Sequence, residues 1–139
     1  MPTIHVDIVS AEGEIFSGPA TMVFAPASQG EIGIAPRHAP LLTLLKAGEV
    51  RVLTPDGEEQ FFYVGGGALE VQPKHVTVLA DTALRAKDVD EAAALAAKQR
   101  AEEALKGKID KIEEAEALAE LARAAAQLKL IAKLRKIKG

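Results

Sequence analysis

The sequence predicts an α+β chain in two segments, an antiparallel β-rich module over residues 1–85 followed by an antiparallel two-helix hairpin over 86–139. Two observations carry this. All seven prolines and all five aromatic residues precede residue 74, and nine of the eleven glycines precede residue 68. After residue 81 the chain is rich in alanine, with Gly107 and Gly139 as its remaining breakers. Short strands followed by a run of helices, not alternating α and β elements, is the grammar of an α+β arrangement.

The strands follow from alternation and turn chemistry. Residues 3–9 place Ile4, Val6 and Ile8 on one face, with His5 and Asp7 on the other. Strands over 50–53 and 60–64 flank Thr54-Pro55-Asp56-Gly57, where proline presets φ and glycine supplies a positive one. Gly65-Gly66-Gly67 is expected to turn the chain into a strand over 68–72, and Pro73-Lys74 leads into another over 75–80. Many short strands with regular turns imply a sandwich or flattened barrel.

For the helices, Asp88 is the expected N-cap of a helix over 89–105, with Glu91 completing a capping box. Gly107 ends it, and Asp110 or a neighbour opens a second helix to about residue 136, by the usual start and stop signals. Acids come early in that second helix (Glu113, Glu114, Glu116) and bases late, which complements the dipole at both ends. The helices are expected to meet through Ala92, Ala93, Ala96, Ala97, Ala101 and Ala104 against Leu118, Leu121, Ala122, Ala125 and Leu128. Alanine favours the helix yet buries little, at about 0.8 kcal/mol per CH₂. The hairpin reads either as a detachable appendage or as a compact alanine-rich pair.

Charge is unevenly spread. Residues 1–85 carry 5 Lys+Arg against 10 Asp+Glu, and residues 86–139 carry 12 against 10. After Glu120 there is no acid, while Arg123, Lys129, Lys133, Arg135, Lys136 and Lys138 follow. This end reads as a solvated helix terminus or as a docking segment for an acidic partner. The acidic first segment and the lack of aromatics in the second argue against nucleic acid.

Catalytic chemistry finds no support. The absence of cysteine excludes disulfides, thiolate metal sites and thiol nucleophiles. His5, His38 and His75 are spaced unlike metal ligands, no serine lies in GxSxG, and Gly65-Gly66-Gly67 is not followed by a phosphate-binding lysine. No metal or cofactor is expected. The N-terminal residues lack the basic and apolar regions of a signal peptide, and no apolar run is long enough to span a membrane. The stretch GEIGIAPRHAPLLT (30–43), stiff and apolar around a lone histidine, reads as a contact surface. The residues alone therefore point to a non-catalytic interaction protein.

Several motifs are specific. Ser10-Ala11-Glu12 with Phe16-Ser17-Gly18, Gly30-Glu31-Ile32-Gly33-Ile34 and His38-Ala39-Pro40-Leu41-Leu42-Thr43 resemble the epsilon subunit of bacterial F-type ATP synthase. So do Leu69-Glu70-Val71, Val76-Thr77-Val78-Leu79-Ala80-Asp81, Asp88-Val89-Asp90-Glu91-Ala92 and Ala119-Glu120-Leu121-Ala122-Arg123-Ala124, in collinear order over essentially the whole chain. The resemblance implies a sandwich of about ten strands plus two antiparallel helices. It further implies a non-catalytic rotor-stalk subunit on the cytoplasmic face of the bacterial inner membrane, peripheral to it, coupling proton-driven rotation to ATP synthesis. The implied partners are the gamma subunit, the c-ring, and the alpha and beta subunits of the catalytic head. Glu31 and His38 fall where the family touches the ring, and Ser10 on a surface facing gamma.

In that family the helices fold against the sandwich or extend into the head, where the extended form inhibits ATP hydrolysis. Arg123, Lys129, Lys133, Arg135 and Lys136 are the candidate head-docking cations. Some relatives sense ATP between the helices, an alternative that would use Asp90 and Arg123. Here Ala93 and Gln127 stand where that motif has arginines, so nucleotide affinity is expected to be weak or absent.

Overall fold

The protein is described by a computed structural model covering residues 2–138, the last of these by its backbone alone. It divides between Arg85 and Ala86 into two compact units.

The first unit is built from β1 (Ile4–Ser10), β2 (Gly13–Ala20), β3 (Met22–Ala27), β4 (Gly30–Ile34), β5 (Leu41–Leu53), β6 (Glu59–Val71), β7 (His75–Ala80) and β8 (Ala83–Arg85). Their hydrogen-bonded order is β2-β1-β7-β6-β5-β3-β4, with β8 on β6. All pairs are antiparallel except β1 with β7, which run parallel with His5 opposite His75. The alternation read from the sequence becomes burial. Ile4, Val6, Ile8, Val50, Val52, Phe62, Val64, Leu69, Val71, Val76 and Val78 line one continuous apolar core.

The expected turn at Gly65-Gly66-Gly67 does not form. β5 and β6 are each 13 residues long and remain paired across it, from Leu41 opposite Val71 to Leu53 opposite Glu59. The glycines instead bend a continuous strand, with φ of 114° at Gly66 and 137° at Gly67. The first half of β6 pairs with β8 and the second half with β7. Eight strands among the described residues thus stand where about ten were expected, two of them long and each paired with more than one neighbour. At 54–58 the expected hairpin turn does form. Thr54 hydrogen-bonds Asp56, and Gly57 takes φ 88°.

The second unit begins with a 3₁₀ turn (Ala86–Asp88), followed by α1 (Glu91–Lys106) and α2 (Lys111–Lys138). The N-cap of α1 is Asp90, not Asp88: its carboxylate accepts from the Ala93 amide at 3.1 Å. Asp88 is held in the 3₁₀ turn, closed by Val89 N–H on the Ala86 carbonyl at 3.2 Å, so its backbone is not at a cap. Gly107 ends α1 as expected, and Asp110 caps α2 through the Glu113 amide at 2.8 Å.

The seam between the helices is alanine at seven-residue spacing. Ala94 and Ala101 are buried on α1, and Ala117 and Ala124 on α2. Of the alanines expected there, Ala92, Ala93, Ala96 and Ala104 are exposed, as are Leu118, Ala122 and Ala125. Ala97, Leu121 and Leu128 are half-buried beside the seam. No helix is long and apolar enough to cross a membrane among the described residues.

Candidate interaction surfaces

The 30–43 stretch folds as β4, a short loop and the start of β5. Within β4 the alternation leaves Glu31 exposed and Ile34 buried. The loop is pinned by Arg37 N–H on the Pro73 carbonyl at 2.8 Å, and Arg37 takes the left-handed φ of 69°. His38 is half-buried, and its Nδ1–H donates to the Ala39 carbonyl at 2.7 Å. This backbone carbonyl is the ring's hydrogen-bond partner among the described residues, the kind of partner a loop histidine takes. Leu42 and Leu44 follow on the outer face of β5, 73% and 67% exposed.

Leu44 opens a row that the sequence reading missed. In register across four strands it lies beside Ala68, which lies beside Leu79, which lies beside Val9. Leu79 is 51% exposed, so the row is an apolar stripe open to solvent. Ser10, at the end of β1, is 8% exposed. Its hydroxyl donates to Glu12 Oε2 at 2.9 Å and accepts from the Glu12 amide at 3.3 Å. It shapes the β1–β2 turn and offers little surface of its own.

Next to the stripe, a polar cluster joins β1, β2 and β7. Ser17 donates to Asp7 Oδ1 at 2.6 Å, and His75 Nε2 lies 2.7 Å from Asp7 Oδ2. His5 Nε2 is 3.1 Å from both Asp7 Oδ1 and the Ser17 hydroxyl, and the two imidazole centroids are 5.0 Å apart. The Ser17 hydrogen bond is the largest cause, and together with the two histidines it outweighs the opposing effect of burial and holds the Asp7 carboxyl below the usual carboxylate range. Because the serine proton is committed to Asp7, this is not a primed nucleophile. No group of side chains suited to a metal ion occurs among the described residues.

In the helical unit, Lys129, Arg135, Lys136 and Arg123 are exposed and Lys133 is half-buried. With 28 residues against 16, α2 is about 18 Å longer than α1. Its last turns therefore run past the start of α1, where Leu130 and Ala86 are buried. Ion pairs join the helices at Arg100–Glu120, 3.2 Å apart, and at Arg135–Glu91. Among the described residues Arg123 forms no ion pair, and the Asp90 carboxylate is engaged as the cap. Among the described residues no hydrogen bond or ion pair joins the two residues suggested for nucleotide.

Residues 3–86 match the family described as ATP synthase, Delta/Epsilon chain, beta-sandwich domain. Residues 87–132 match its long alpha-helix domain. The ATP synthase epsilon chain of Nitrosococcus oceani is 68% identical over 134 residues, covering 96% of each chain. That of Halorhodospira halophila is 59% identical over 138 residues, covering 98% of this chain and 97% of its own. The chain belongs to the ATP synthase epsilon chain family. It is thus a non-catalytic subunit of the rotor stalk of an F-type ATP synthase. Its fold is also that of a chain in the Euglena gracilis mitochondrial ATP synthase, at TM-score 0.80 and 17% identity, covering 91% of this chain and 80% of that one. A chain of the Tetrahymena thermophila mitochondrial ATP synthase central stalk matches at TM-score 0.62 and 15% identity, covering 94% and 97%.

Proposed function

We propose that the sandwich seats the chain between the gamma subunit and the c-ring, while the helical hairpin acts on the catalytic head as a brake on ATP hydrolysis. The ring-side pad is the segment carrying Glu31, His38 and Leu42. Glu31 is exposed on a short strand and the His38 ring is held by the Ala39 carbonyl, so the pad needs little ordering on contact. The apolar stripe through Leu44 and Leu79 supplies a surface for a protein partner of matching character, and Ser10 supports the turn beside it. In this reading the 1–85 unit binds the stalk and ring, the 86–139 unit regulates, and the complex holds the chain at the cytoplasmic face of the bacterial inner membrane.

The observation that supports the regulatory half is the end of α2. Lys129, Arg135 and Lys136 are exposed on turns that reach beyond α1, with no acid after Glu120. Cations in this setting fit acidic segments of the alpha and beta subunits. The test is ATPase activity of the reassembled complex with the chain ended before Asp110. Hydrolysis should rise relative to the full-length chain while gamma still co-purifies. Unchanged hydrolysis would remove the brake and leave the coupling role.

A further inference from the structure

Arg135 has two claims on it. In the reading above it docks on an acidic partner, yet in the closed hairpin its guanidinium is paired with Glu91. Glu91 is the first residue of α1, directly after the cap Asp90 and close to Asp88, so three acids surround the positive end of that helix. Arg135 comes back to this cluster from the last turns of α2, 44 residues later in the chain. Lys129 and Lys136 form no ion pair among the described residues.

We infer that the Glu91–Arg135 pair is a latch: Glu91 competes with the acidic partner for Arg135 and thereby sets how readily the chain inhibits. This rests on the proposed braking role. Glu91 occupies Arg135 Nη2 in the closed hairpin, and that donor is free for a partner carboxylate only when the pair parts, so opening the hairpin and docking the arginine are coupled through a single side chain. The latch is built to be weak. The Arg135 side chain is 70% exposed and that of Glu91 36%, and exposed pairs shift an equilibrium by at most about fivefold. That suits a contact meant to be exchanged for another.

The test uses Glu91→Gln, Arg135→Gln and the double variant in the full chain. In the reassembled complex, Glu91→Gln should lower the concentration for half-inhibition about two- to fivefold, and Arg135→Gln should raise it. In the Arg135→Gln background the Glu91 change should have no effect. A Glu91→Gln effect that persists there, or none in the wild-type background, overturns the latch. A second readout does not depend on the brake. The chain has no cysteine, so spin labels at exposed Ala93 and Ala132 report the hairpin directly. Glu91→Gln should broaden that distance distribution, and an unchanged distribution overturns the latch whatever the ATPase does. If the distribution broadens while removal of residues from Asp110 onward leaves hydrolysis unchanged, the braking role has failed, and the regulatory consequence of the latch with it.

Discussion

Substituting Gly67 by alanine should bring the sandwich close to unfolding, because two separate costs meet at that position. Its φ of 137° lies where L-residues carry about 1–3 kcal/mol of strain. In addition, an added Cβ would sit 2.1 Å from the Leu79 carbonyl oxygen and 2.9 Å from the Ala80 Cα, both backbone atoms. Relief requires β6 and β7 to separate at the Gly67–Ala80 pair, losing ladder hydrogen bonds at about 0.5–1.5 kcal/mol each. Together these amount to about 3–5 kcal/mol, a large share of what a unit of this size has. Gly30→Ala is the control: its φ is 135°, nothing lies within 4 Å of the added atom, and so it carries the strain alone. Tyr63 is the only tyrosine, there is no tryptophan, and it is 1% exposed inside the sandwich. Urea unfolding followed by its fluorescence therefore reports on this unit and not on the helices. If Gly67→Ala loses no more stability than Gly30→Ala, the close strand approach is not what fixes glycine there.

Two further outcomes follow from the polar cluster and the hairpin. Asp7 titrates below the usual carboxylate range, so its ionised form adds stability that is present above the ordinary carboxylate pKa and is lost as pH falls through the lowered one. Asp7→Asn should unfold at lower urea than wild type near about pH 7, with the gap narrowing as pH falls below the ordinary carboxylate pKa; a gap that does not change with pH would refute the assignment. For nucleotide, Ala93 and Gln127 supply no cation and Asp90 is committed to the Ala93 amide, so isothermal titration with ATP should give no saturable heat in the micromolar range. A micromolar dissociation constant would restore the sensing alternative.

What was legible in the sequence was whatever local periodicity and punctuation encode. The alternation of Ile4, Val6 and Ile8 placed the β1 face correctly, and Pro55 and Gly57 marked their turn. Gly107 and Asp110 marked the break between the helices. Gly65-Gly66-Gly67 misled because a glycine run serves a turn and a close strand approach equally well, and only the opposing Leu79 carbonyl distinguishes them. The helix faces misled for another reason. With alanine on every side there is no apolar period to read, so Ala94 and Ala101 could not be told from Ala93 and Ala96. The His5–Asp7–His75 cluster was out of reach because it depends on a parallel pairing between β1 and β7, 68 residues apart in chain order at Asp7 and His75. The exposed stripe had a partial signal, since Val9 and Leu79 share the outward parity of their strands, but joining them needed the same pairing.

The two units differ in how firmly sequence commits them to one state, and the difference is chemical. The sandwich closes over Phe62, Tyr63, Ile4, Ile8, Ile34 and Leu69, side chains whose burial contributes about 1.5–3 kcal/mol each for the aliphatic and phenylalanine members. Its sheet also joins strands far apart in the chain, such as β1 and β7, whose inward faces line that core. Between α1 and α2 the seam is Ala94, Ala101, Ala117 and Ala124, which offer one methyl apiece at about 0.8 kcal/mol, and Leu130 is the large side chain buried in this unit. Each helix carries its own backbone hydrogen bonds and its own cap, so separating α1 from α2 leaves both helices intact. A leucine seam would bury more apolar surface and hold the helices more tightly, and a glycine seam would cost the helices themselves. Alanine at seven-residue spacing is the choice that keeps the helices stable while leaving their association to be decided by a few exchangeable contacts such as Glu91–Arg135.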